Sequence, residues 1–279
     1  MRILITGSRG FIGAHLVEAL KKRKHEVTEL DLELGNDITK EIKGNYDIIY
    51  HLAAYSLIKT RDNPRKAIDV NIKGTLNVLE LARKCNAKVI FSSASSVYGI
   101  PFYDVVKETD PIQPVSIYGT TKASAEILIE TYNKLYSVDY LIFRFTNVYG
   151  PEQKTGVIPS FIDSIGNNAP VVIFGSGNQT RDFVYVGDVV HFLLRVKEPN
   201  KKNMTLNLGS GIATSIIELA VMCTEIMGKQ NEIINRPVER DERWGFSADM
   251  TRFNEVFNEV PKSSLKEGLK KTCLEERSE

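Results

Sequence analysis

Short apolar runs alternate with longer amphipathic segments through the first two thirds of the chain. The runs are rich in Ile, Val and aromatic residues and too short for helices, which predicts strands. They cover 3–6, 26–30, 47–51, 88–92 and 140–145. The segments between them repeat apolar residues at helical spacing, which predicts helices over 11–24, 64–84 and 116–136. Strand, helix, strand repetition requires parallel pairing with helices on both faces, so we expect a doubly wound α/β fold.

The pattern loosens beyond residue 150 into stretches that carry Gly, Pro and Asn. These stretches include 156–159, 166–168 and 175–178, and they predict loops. Helical spacing returns at 215–227 and 264–273. We therefore expect a smaller C-terminal α/β substrate region. The predicted boundaries are 1–150 for the first domain, with 175–198 returning to it, and 151–174 with 199–279 for the second.

Composition and charge narrow the class of protein. The 279 residues are 42% hydrophobic and 25% charged, and 36 Lys plus Arg against 35 Asp plus Glu give a net charge of +1. This balance excludes a disordered polyelectrolyte, a collagen-like chain and an electrostatically driven nucleic-acid binder. Three distant cysteines show no metal-binding spacing, so we expect reduced thiols and no metal site. Without a signal segment or a long apolar run, we expect a cytoplasmic protein without a membrane anchor.

The first predicted strand leads directly into a glycine turn at 6–13, TGSRGFIG, which opens a helix. Glycines at such a turn let backbone amides approach a pyrophosphate at the helix N-terminus, where the dipole favours negative charge. A tight turn that needs glycine only for its backbone angles has the same spacing. The turn alone therefore leaves dinucleotide binding and a purely structural turn open.

A carboxylate at the end of the second predicted strand favours dinucleotide binding. Asp31 follows Gly13 at close to the spacing of about 20 residues expected for an acidic residue that hydrogen-bonds the adenosine ribose. A solvated turn residue is the alternative for Asp31. Arg9 would attract the 2′-phosphate of NADP, whereas Asp31 would repel it. Because Asp31 would meet the ribose directly, we expect NAD as the cofactor.

Tyr118 and Lys122 lie four residues apart at the start of the helix predicted over 116–136, hence on one helix face. A nearby cation lowers the pKa of a phenol, which then serves as a general base near neutral pH. Tyr and Lys recur at this spacing in 55–59 and 103–107, but neither of those tyrosines opens a long amphipathic segment. Position therefore selects Tyr118 and Lys122 as the candidate catalytic pair.

In this order the motifs resemble those of the extended short-chain dehydrogenase/reductase family. Within it, they are most similar to the NAD-dependent nucleotide-sugar epimerase and dehydratase group. The likeness covers essentially the whole chain. The segments that carry it are 6–13, Asp31, 51–54, 71–75, 92–99, Tyr118 with Lys122, 144–151, 179–186 and 264–269.

The resemblance implies an NAD-binding Rossmann domain over 1–150. Its cofactor contacts would be Gly7, Arg9, Gly10, Phe11, Ile12, Gly13, Asp31, Asp37, Ile38, Leu52, Ala53, Ala54, Asn71 and Ser92, together with Tyr118 and Lys122 at the nicotinamide end. Asp37 and Ile38 would lie by the adenine.

The resemblance also implies substrate contacts. Ser95 and Ser96 would face the sugar, and Asn147 would touch the substrate diphosphate. Arg181 and Arg240 would clamp that diphosphate, since guanidinium groups bind phosphate in bidentate fashion.

One position departs from the family pattern. The family has Ser or Thr four residues before the tyrosine of the Tyr-Gly pair at 98–99, and here that residue is Ala94. An alanine methyl group cannot hydrogen-bond the sugar hydroxyl that is oxidised, and losing one positioned group costs about a hundredfold in rate. Either Ser95 or Ser96 supplies the missing hydroxyl, or catalysis is impaired.

The same segment selects the reaction. Related dehydratases place an Asp-Glu pair at the positions of Ser95 and Ser96, and related decarboxylases place the Glu. Without these carboxylates, elimination chemistry has no obvious acid or base, and epimerisation remains. We expect a UDP-hexose 4-epimerase that works through a transient 4-keto sugar. The alternatives are another nucleotide-sugar reductase or dehydratase, and a non-catalytic protein that binds NAD or a nucleotide sugar.

The expected partners follow from the same resemblance. The substrate would be a nucleotide sugar, with a UDP-sugar favoured, and neither nucleic acid nor membrane is expected as a partner. Segments 64–84 and 116–136 resemble those by which family members pair through a four-helix bundle, so we expect a homodimer.

Overall fold

A computed structural model describes residues 1–198, 200–237 and 245–275. The strands are β1 (Arg2–Thr6), β2 (Glu26–Leu30), β3 (Ile48–His51), β4 (Lys88–Ala94), β5 (Val105–Val106), β6 (Tyr140–Phe145), β7 (Asn147–Tyr149), β8 (Val171–Phe174), β9 (Thr180–Tyr185), β10 (Met204–Leu208), β11 (Ala213–Ser215), β12 (Ile233–Arg236) and β13 (Ser247–Ala248). The helices are α1 (Phe11–Lys22), α2 (Leu57–Asp62), α3 (Pro64–Ile68), α4 (Gly74–Cys85), α5 (Ile117–Tyr136), α6 (Val157–Gly166), α7 (Val186–Leu193), α8 (Ile216–Met227), α9 (Thr251–Phe257) and α10 (Leu265–Glu275).

The chain forms two compact units. The first contains Met1–Ile100, Glu108–Phe145 and Val190–Asn207, and the second contains Pro101–Lys107, Thr146–Val189 and Leu208–Glu279. The segment that returns to the first unit therefore lies later than the predicted 175–198. It lies later because β9 pairs with β7 and β11, whereas β10 joins the large sheet beside β6. The cofactor-binding and sugar-binding roles of the two regions stay predictions.

A six-stranded sheet forms the centre of the first unit, in the order β10-β6-β4-β3-β1-β2. The pairs from β2 through β6 are parallel, and the helices between them act as crossovers. The predicted doubly wound α/β fold of the Rossmann type is confirmed. The strand order reverses between β1 and β3, and ligands of such sheets bind beyond the carboxyl ends of the strands at that point.

Apolar helix faces cover this sheet. Val78 and Leu79 of α4 and Ile129 of α5 are fully buried in one cluster with strand residues such as Ile49 and Phe91. Leu81 and Ala82 of the same cluster follow Val78 and Leu79 at the three- and four-residue spacing from which the helix was predicted. Helices α4 and α5 therefore pack against the sheet that carries the loops at the carboxyl ends of its strands.

The helix predicted over 64–84 is interrupted. It consists of α3, a π-helical turn at Asp69–Lys73 and α4. The π turn adds a residue to the helical repeat and carries Asn71, which is 3% exposed and hydrogen-bonds the backbone of Tyr55 through both atoms of its amide group. Periodicity over twenty residues does not reveal one inserted residue, so the sequence pattern missed this turn.

The second unit contains more regular structure than the predicted loops. The expected loop at 156–159 begins α6 instead, with Gly156 as the N-cap at φ +119° and Pro159 in the first turn. Proline is tolerated there because the first helical amides have no intrahelical acceptor. Three small sheets accompany the helices: β11-β9-β7, β12-β8 and β13-β5. Within the described residues, no helix is long and apolar enough to cross a membrane.

Candidate active site

The glycine turn packs backbone against backbone. Gly7 has φ +71°, and a Cβ atom there would lie 2.6 Å from the amide nitrogen of Ala53, in the loop after β3. A Cβ atom on Gly13 would lie 2.1 Å from the carbonyl oxygen of Gly7. A Cβ atom on Gly10 would lie 3.2 Å from the Gly7 oxygen and within 4 Å of no other atom of the described residues outside its own helix and its chain neighbours, so the turn stays open on that side. Gly7 and Gly13 therefore shape the turn, and Gly10 leaves room for a ligand to approach the backbone.

Helix α1 presents its N-terminus at this turn. Its N-cap is Gly10, and among the described residues no side chain caps it and no acidic residue occupies its first turn. Ser8 is 1% exposed, and its hydroxyl oxygen is buried without a hydrogen-bond partner in the described part of the chain. Free helical amides, the helix dipole and an unpaired hydroxyl suit an anionic group. The turn thus fits the pyrophosphate of a dinucleotide.

Asp31 lies beside the turn and holds it. One carboxylate oxygen accepts the Arg9 amide at 3.0 Å and the other accepts the Glu33 amide at 3.1 Å. A carboxylate has about four acceptor positions, so Asp31 retains capacity for ribose hydroxyls. The Arg9 guanidinium instead pairs with Glu29, at 3.4 Å between Nη2 and Oε2. The arrangement fits NAD, because a cation that could offset the charge of a 2′-phosphate is already engaged.

The remaining predicted cofactor residues are distributed around the same edge of the sheet. Asp37 lines a cavity of about 270 Å³ beside β2, and the Thr39 amide lowers the pKa of the Asp37 carboxyl group by hydrogen bonding. Ile38 is buried, and its side chain packs where a Cβ atom on Gly74 would clash. Leu52, Ala53 and Ala54 follow β3, and the Leu52 amide donates to the Thr6 carbonyl group. Only the backbone of Ile38 could therefore meet an adenine, while its side chain belongs to the core.

The candidate catalytic pair lies on α5, as predicted. The helix begins at Ile117, and the Ser116 hydroxyl caps it by accepting the Gly119 amide at 3.0 Å. Lys122 is 2% exposed, and its ammonium group donates to the Ser92 carbonyl oxygen at 2.6 Å. The ammonium lies 4.7 Å from the centroid of the Phe91 ring and 5.7 Å from that of Tyr118. Ser92, at the end of β4, thus holds Lys122 beside the Tyr118 ring.

Burial dominates the ionisation of this pair. It raises the pKa of Tyr118 to about 12 and lowers the pKa of Lys122 to about 7, against a smaller opposing effect of Glu126 on the lysine. The four-residue spacing predicts that the Lys122 cation lowers the pKa of Tyr118. In the protein alone, desolvation of Tyr118 outweighs that attraction. Both charged forms are disfavoured here, so each requires an opposite charge to form.

A chain of buried hydrogen bonds joins the glycine turn to α5. The Thr6 hydroxyl donates to Nδ1 of His51 at 2.8 Å, and Nε2 donates to the Thr75 hydroxyl at 2.9 Å. Thr75 donates to the Asn71 carbonyl group, which fixes the direction of the chain and the tautomer of His51. The Asn71 amide donates to Thr121, whose hydroxyl donates to the Tyr118 carbonyl oxygen. Asn71, predicted from the resemblance as a cofactor contact, therefore also supports the first turn of α5 around Tyr118, the tyrosine turn, and this supporting role was not suggested by the sequence.

A buried ion pair lies one helical turn beyond Lys122. Arg144 of β6 and Glu126 of α5 are 4% and 2% exposed and pair at 2.7 Å. Glu126 also accepts from Ser93, and Arg144 donates to Tyr98 at 3.0 Å. The sequence holds a signal for this pair, because an arginine in an apolar strand requires a buried anion. Glu126 also follows Lys122 at the same four-residue spacing as Lys122 follows Tyr118.

The serine segment lies directly against the tyrosine turn. Ala94 ends β4, and residues 95–98 form a 3₁₀ turn. A Cβ atom on Gly119 would lie 2.5 Å from the Ser96 carbonyl oxygen. Both serines are half-buried, and the hydroxyl oxygen of Ser96 is shielded from solvent and has no partner among the described residues. The Ser96 hydroxyl is thus not open to solvent.

The predicted diphosphate contacts fall in the second unit. Asn147 is exposed on β7 and donates to the Asp182 carbonyl oxygen at 3.1 Å, and Arg181 is half-buried on β9. The buried Asp182 carboxylate accepts the amides of Ser210, Gly211 and Ala248, which fixes the neighbouring loops. Arg240 lies outside the described residues. Among those described, no cluster of His, Cys, Asp and Glu could hold a metal ion.

Comparisons with known proteins agree with this geometry. Residues 3–209 match the model of the NAD dependent epimerase/dehydratase family. The chain is 38% identical over 296 residues to a putative UDP-glucose 4-epimerase of Methanocaldococcus jannaschii, covering 96% of each chain. The structure is similar to that of the UDP-glucose 4-epimerase of Thermotoga maritima with UDP-glucose, with a TM-score of 0.93, 31% identity and coverage of 100% and 99%. It is also similar to the UDP-glucuronic acid 4-epimerase of Bacillus cereus with UDP-glucuronic acid and NAD, with a TM-score of 0.91, 29% identity and the same coverage.

Acidification should destabilise the wild-type protein more steeply than a His51→Gln variant. Burial, helped by the charge of Lys122, lowers the pKa of His51 from 6.5 to about 3. Between these values the unfolded chain binds a proton that the folded chain does not. The stabilisation is therefore complete above pH 6.5 and falls by about 1.4 kcal/mol per pH unit toward pH 3. Urea unfolding at pH values above and below 6.5 measures the difference in slope.

A His15→Gln variant serves as the control, because His15 is a half-buried residue of α1 outside this hydrogen-bond chain. A stability gap between wild type and His51→Gln that stays constant with pH would contradict the assignment.

Glu126 and Arg144 should show strong energetic coupling. Removing one partner leaves a buried charge unpaired, so Glu126→Gln is expected to cost about 3–5 kcal/mol. Adding Arg144→Met should recover part of this loss, because both charges are then gone. Chemical denaturation of the two single variants and the double variant gives the coupling energy.

The exposed pair of Arg83 and Glu80, at 2.9 Å, provides a matched control with an expected coupling of about 0.5 kcal/mol or less. Strictly additive effects at Glu126 and Arg144 would show that the buried pair is not coupled.

Proposed function

The chain belongs to the NAD-dependent epimerase/dehydratase family, and from this we propose that it is a UDP-hexose 4-epimerase with NAD as its cofactor. The observation that carries the proposal is the segment beside the tyrosine turn. It offers the hydroxyl groups of Ser95 and Ser96 and no carboxylate, whereas elimination or decarboxylation would call for one there. The buried carboxylate of Glu126, which accepts a hydrogen bond from Ser93, is already paired with Arg144. A reaction that needs only one proton and one hydride to leave and return fits this site.

The cofactor would bind at the carboxyl ends of β1 and β3. The open side of Gly10 and the amides of α1 would hold the pyrophosphate, and Asp31 would accept hydrogen bonds from the adenosine ribose. When bound, NAD supplies a positively charged ring that accepts one hydride and returns it. Solved relatives with UDP-sugar and NAD support both ligands.

Tyr118 would move the proton. As the phenolate, Tyr118 would take the proton of the sugar C4 hydroxyl while the C4 hydride is given up to the bound cofactor. The phenol would return that proton when the hydride comes back to the other face of the 4-keto sugar. With a pKa of about 12, the phenol holds its proton in the protein alone. Its deprotonation therefore requires a positive charge nearby, and Lys122 is placed to provide one.

Lys122 would have two tasks. Its ammonium group is fixed by the Ser92 carbonyl group, which leaves two of its three N–H donors for the tyrosine side and for a ribose. Burial lowers the pKa of Lys122 to about 7, so formation of the Tyr118 phenolate and retention of the lysine proton favour each other. The pair would act as one proton-transfer unit.

The sugar hydroxyl also needs support that Ala94 cannot give. Because the Ser96 hydroxyl oxygen is shielded from solvent, we assign that support to Ser95, at the start of the 3₁₀ turn. Asn147 and Arg181 would contact the diphosphate of the substrate. Guanidinium and amide donors match phosphate oxygens, in keeping with a UDP-sugar.

We also propose a cytoplasmic homodimer. Exposed apolar side chains on the outer surfaces of α4 and α5 include Leu76, Ile127 and Leu135. Burying such residues against a second copy would remove apolar surface from water, and helices of this length can pair as a four-helix bundle. This supports the dimer expected from the resemblance.

Two alternatives have distinct signatures. A reductase would consume reduced cofactor, and a dehydratase would release a keto product. A non-catalytic binding protein is favoured by Ala94 alone, and it would bind NAD and nucleotide sugar without turnover. Incubation with UDP-glucose or UDP-galactose plus NAD separates these outcomes, since an epimerase interconverts the two sugars without net change in NAD.

Tyr118→Phe should abolish interconversion, with kcat falling by about 10²–10⁴ because the proton acceptor is lost. NAD binding should persist, since the ring itself remains. The assay is conversion of UDP-galactose to UDP-glucose, and Tyr103→Phe is the control. Tyr103 has a lysine at the same spacing but is exposed in a loop of the second unit. Turnover by Tyr118→Phe at the wild-type rate would refute the mechanism.

Ala94→Ser should raise kcat by about tenfold or more with little change in KM, because it adds a hydroxyl group that the reacting sugar can use. Ala94→Cys is the control, since it adds similar volume but a weak hydrogen-bond donor. An unchanged rate in Ala94→Ser would show that Ser95 already does this work. A wild type that binds substrate without turnover, made active by Ala94→Ser, would establish the binding-protein alternative.

A further inference from the structure

Four charged residues, Arg9, Lys21, Glu29 and Asp31, form a cluster beside the end of β2. Glu29 lies at its centre, with its side chain 14% exposed. One carboxylate oxygen of Glu29 pairs with the Lys21 ammonium at 2.6 Å and the other pairs with the Arg9 guanidinium at 3.4 Å. Asp31 follows two residues later on the chain. Two cations therefore balance two carboxylates within one small region.

Arg9 is held at both ends. Its backbone amide donates to Asp31 at 3.0 Å, and its guanidinium faces Glu29. The Glu29 oxygen that faces Arg9 is shielded from solvent and has no hydrogen bond among the described residues. An anion in that setting depends on its ion pairs, because water does not reach it. Withdrawing Arg9 would leave this oxygen without its counter-charge.

A 2′-phosphate on the adenosine ribose would disturb this balance. Such a group carries about −1.5 to −2 charge near neutral pH and is bound best by an arginine in bidentate fashion. Arg9 is the cation of the glycine turn, so it is the group that would have to swing toward the phosphate. Doing so would break the Arg9–Glu29 pair and leave Lys21 as the counter-charge of Glu29, while Asp31 would still repel the phosphate.

We propose that Glu29 is a specificity-determining residue of the cofactor site. By holding Arg9, it withholds the cation that a 2′-phosphate needs and thereby selects a dinucleotide with a free 2′-hydroxyl group. Asp31 repels the phosphate directly, and Glu29 acts through Arg9. This inference rests on the proposed NAD-dependent function, but it concerns binding and not turnover.

The test is dinucleotide binding by nucleotide-free protein, measured calorimetrically with NADH and NADPH. Glu29→Gln removes the counter-charge and keeps the shape, so Arg9 can turn to the phosphate. The ratio of the NADPH to the NADH dissociation constant should then fall about tenfold relative to wild type. In an Asp31→Asn background, Glu29→Gln should lower the ratio by a similar further factor.

Two further variants test whether Glu29 acts through Arg9 or only through its negative charge. In Glu29→Gln/Arg9→Gln the ratio should return to the wild-type value, because Arg9 carries the effect. Glu18→Gln removes one negative charge from α1, where Glu18 pairs with the exposed Lys22 at 2.5 Å, and it should leave the ratio unchanged. The Glu29→Gln protein should remain folded, because Arg9 and Lys21 are half-exposed and water can solvate them.

The outcomes separate this proposal from the proposed function. An unchanged ratio in Glu29→Gln, a gain that survives Arg9→Gln, or an equal gain in Glu18→Gln would overturn the role of Glu29. Wild-type protein that binds neither dinucleotide would overturn both proposals. Protein that binds NADH with the expected variant ratios but does not interconvert sugars would overturn only the epimerase activity.

Discussion

Backbone packs directly on backbone at the turn that follows β1. A Cβ atom would lie 2.6 Å from the Ala53 amide at Gly7 and 2.1 Å from the Gly7 carbonyl oxygen at Gly13, so neither position accepts a side chain without rearrangement. This contact brings the ends of β1 and β3 together, and it aims the N-terminus of α1 at the point where the strand order reverses. The position of the proposed cofactor, and with it the relation of Asp31 to the ribose, depends on this close approach.

The buried polar groups of the first unit serve the same edge of the sheet. The hydrogen bonds from Thr6 through His51 and Thr75 to Asn71 connect the glycine turn to the tyrosine turn of α5. Lys122 is desolvated between Phe91 and Tyr118, and the Glu126–Arg144 pair lies one turn further along the helix. Burying these groups costs stability unless each has a partner, and the partners come from strands β1, β3, β4 and β6 and helices α4 and α5. Such a network is satisfied only when the whole sheet is assembled.

Sequence patterns predicted the local features well. Alternation of apolar runs and helical periodicity placed β1 through β4, β6, α1 and α5 within a few residues, because each depends on its own spacing. The pattern failed where the local structure depends on contacts with segments distant in the sequence. The π turn around Asn71 forms where its amide meets Tyr55, β10 was missed because its pairing with β6 is not local, and α6 was hidden by Gly156 and Pro159, which its first turn tolerates.

The sequence by itself determined the glycine turn, its acidic partner Asp31, and the choice of Tyr118 over two tyrosines at equal spacing, because these features lie within one strand–turn–helix unit or one helix. Only the tertiary structure decided which counter-charges and how much solvent surround these residues. It desolvated both members of the pair, and desolvation of Tyr118 outweighs the lowering of its pKa expected from Lys122. It also paired Arg9 with Glu29 and Arg144 with Glu126. The free energy of a charged group depends on the solvent and the counter-charges that folding brings near it. The spacing of residues along a chain records neither of these.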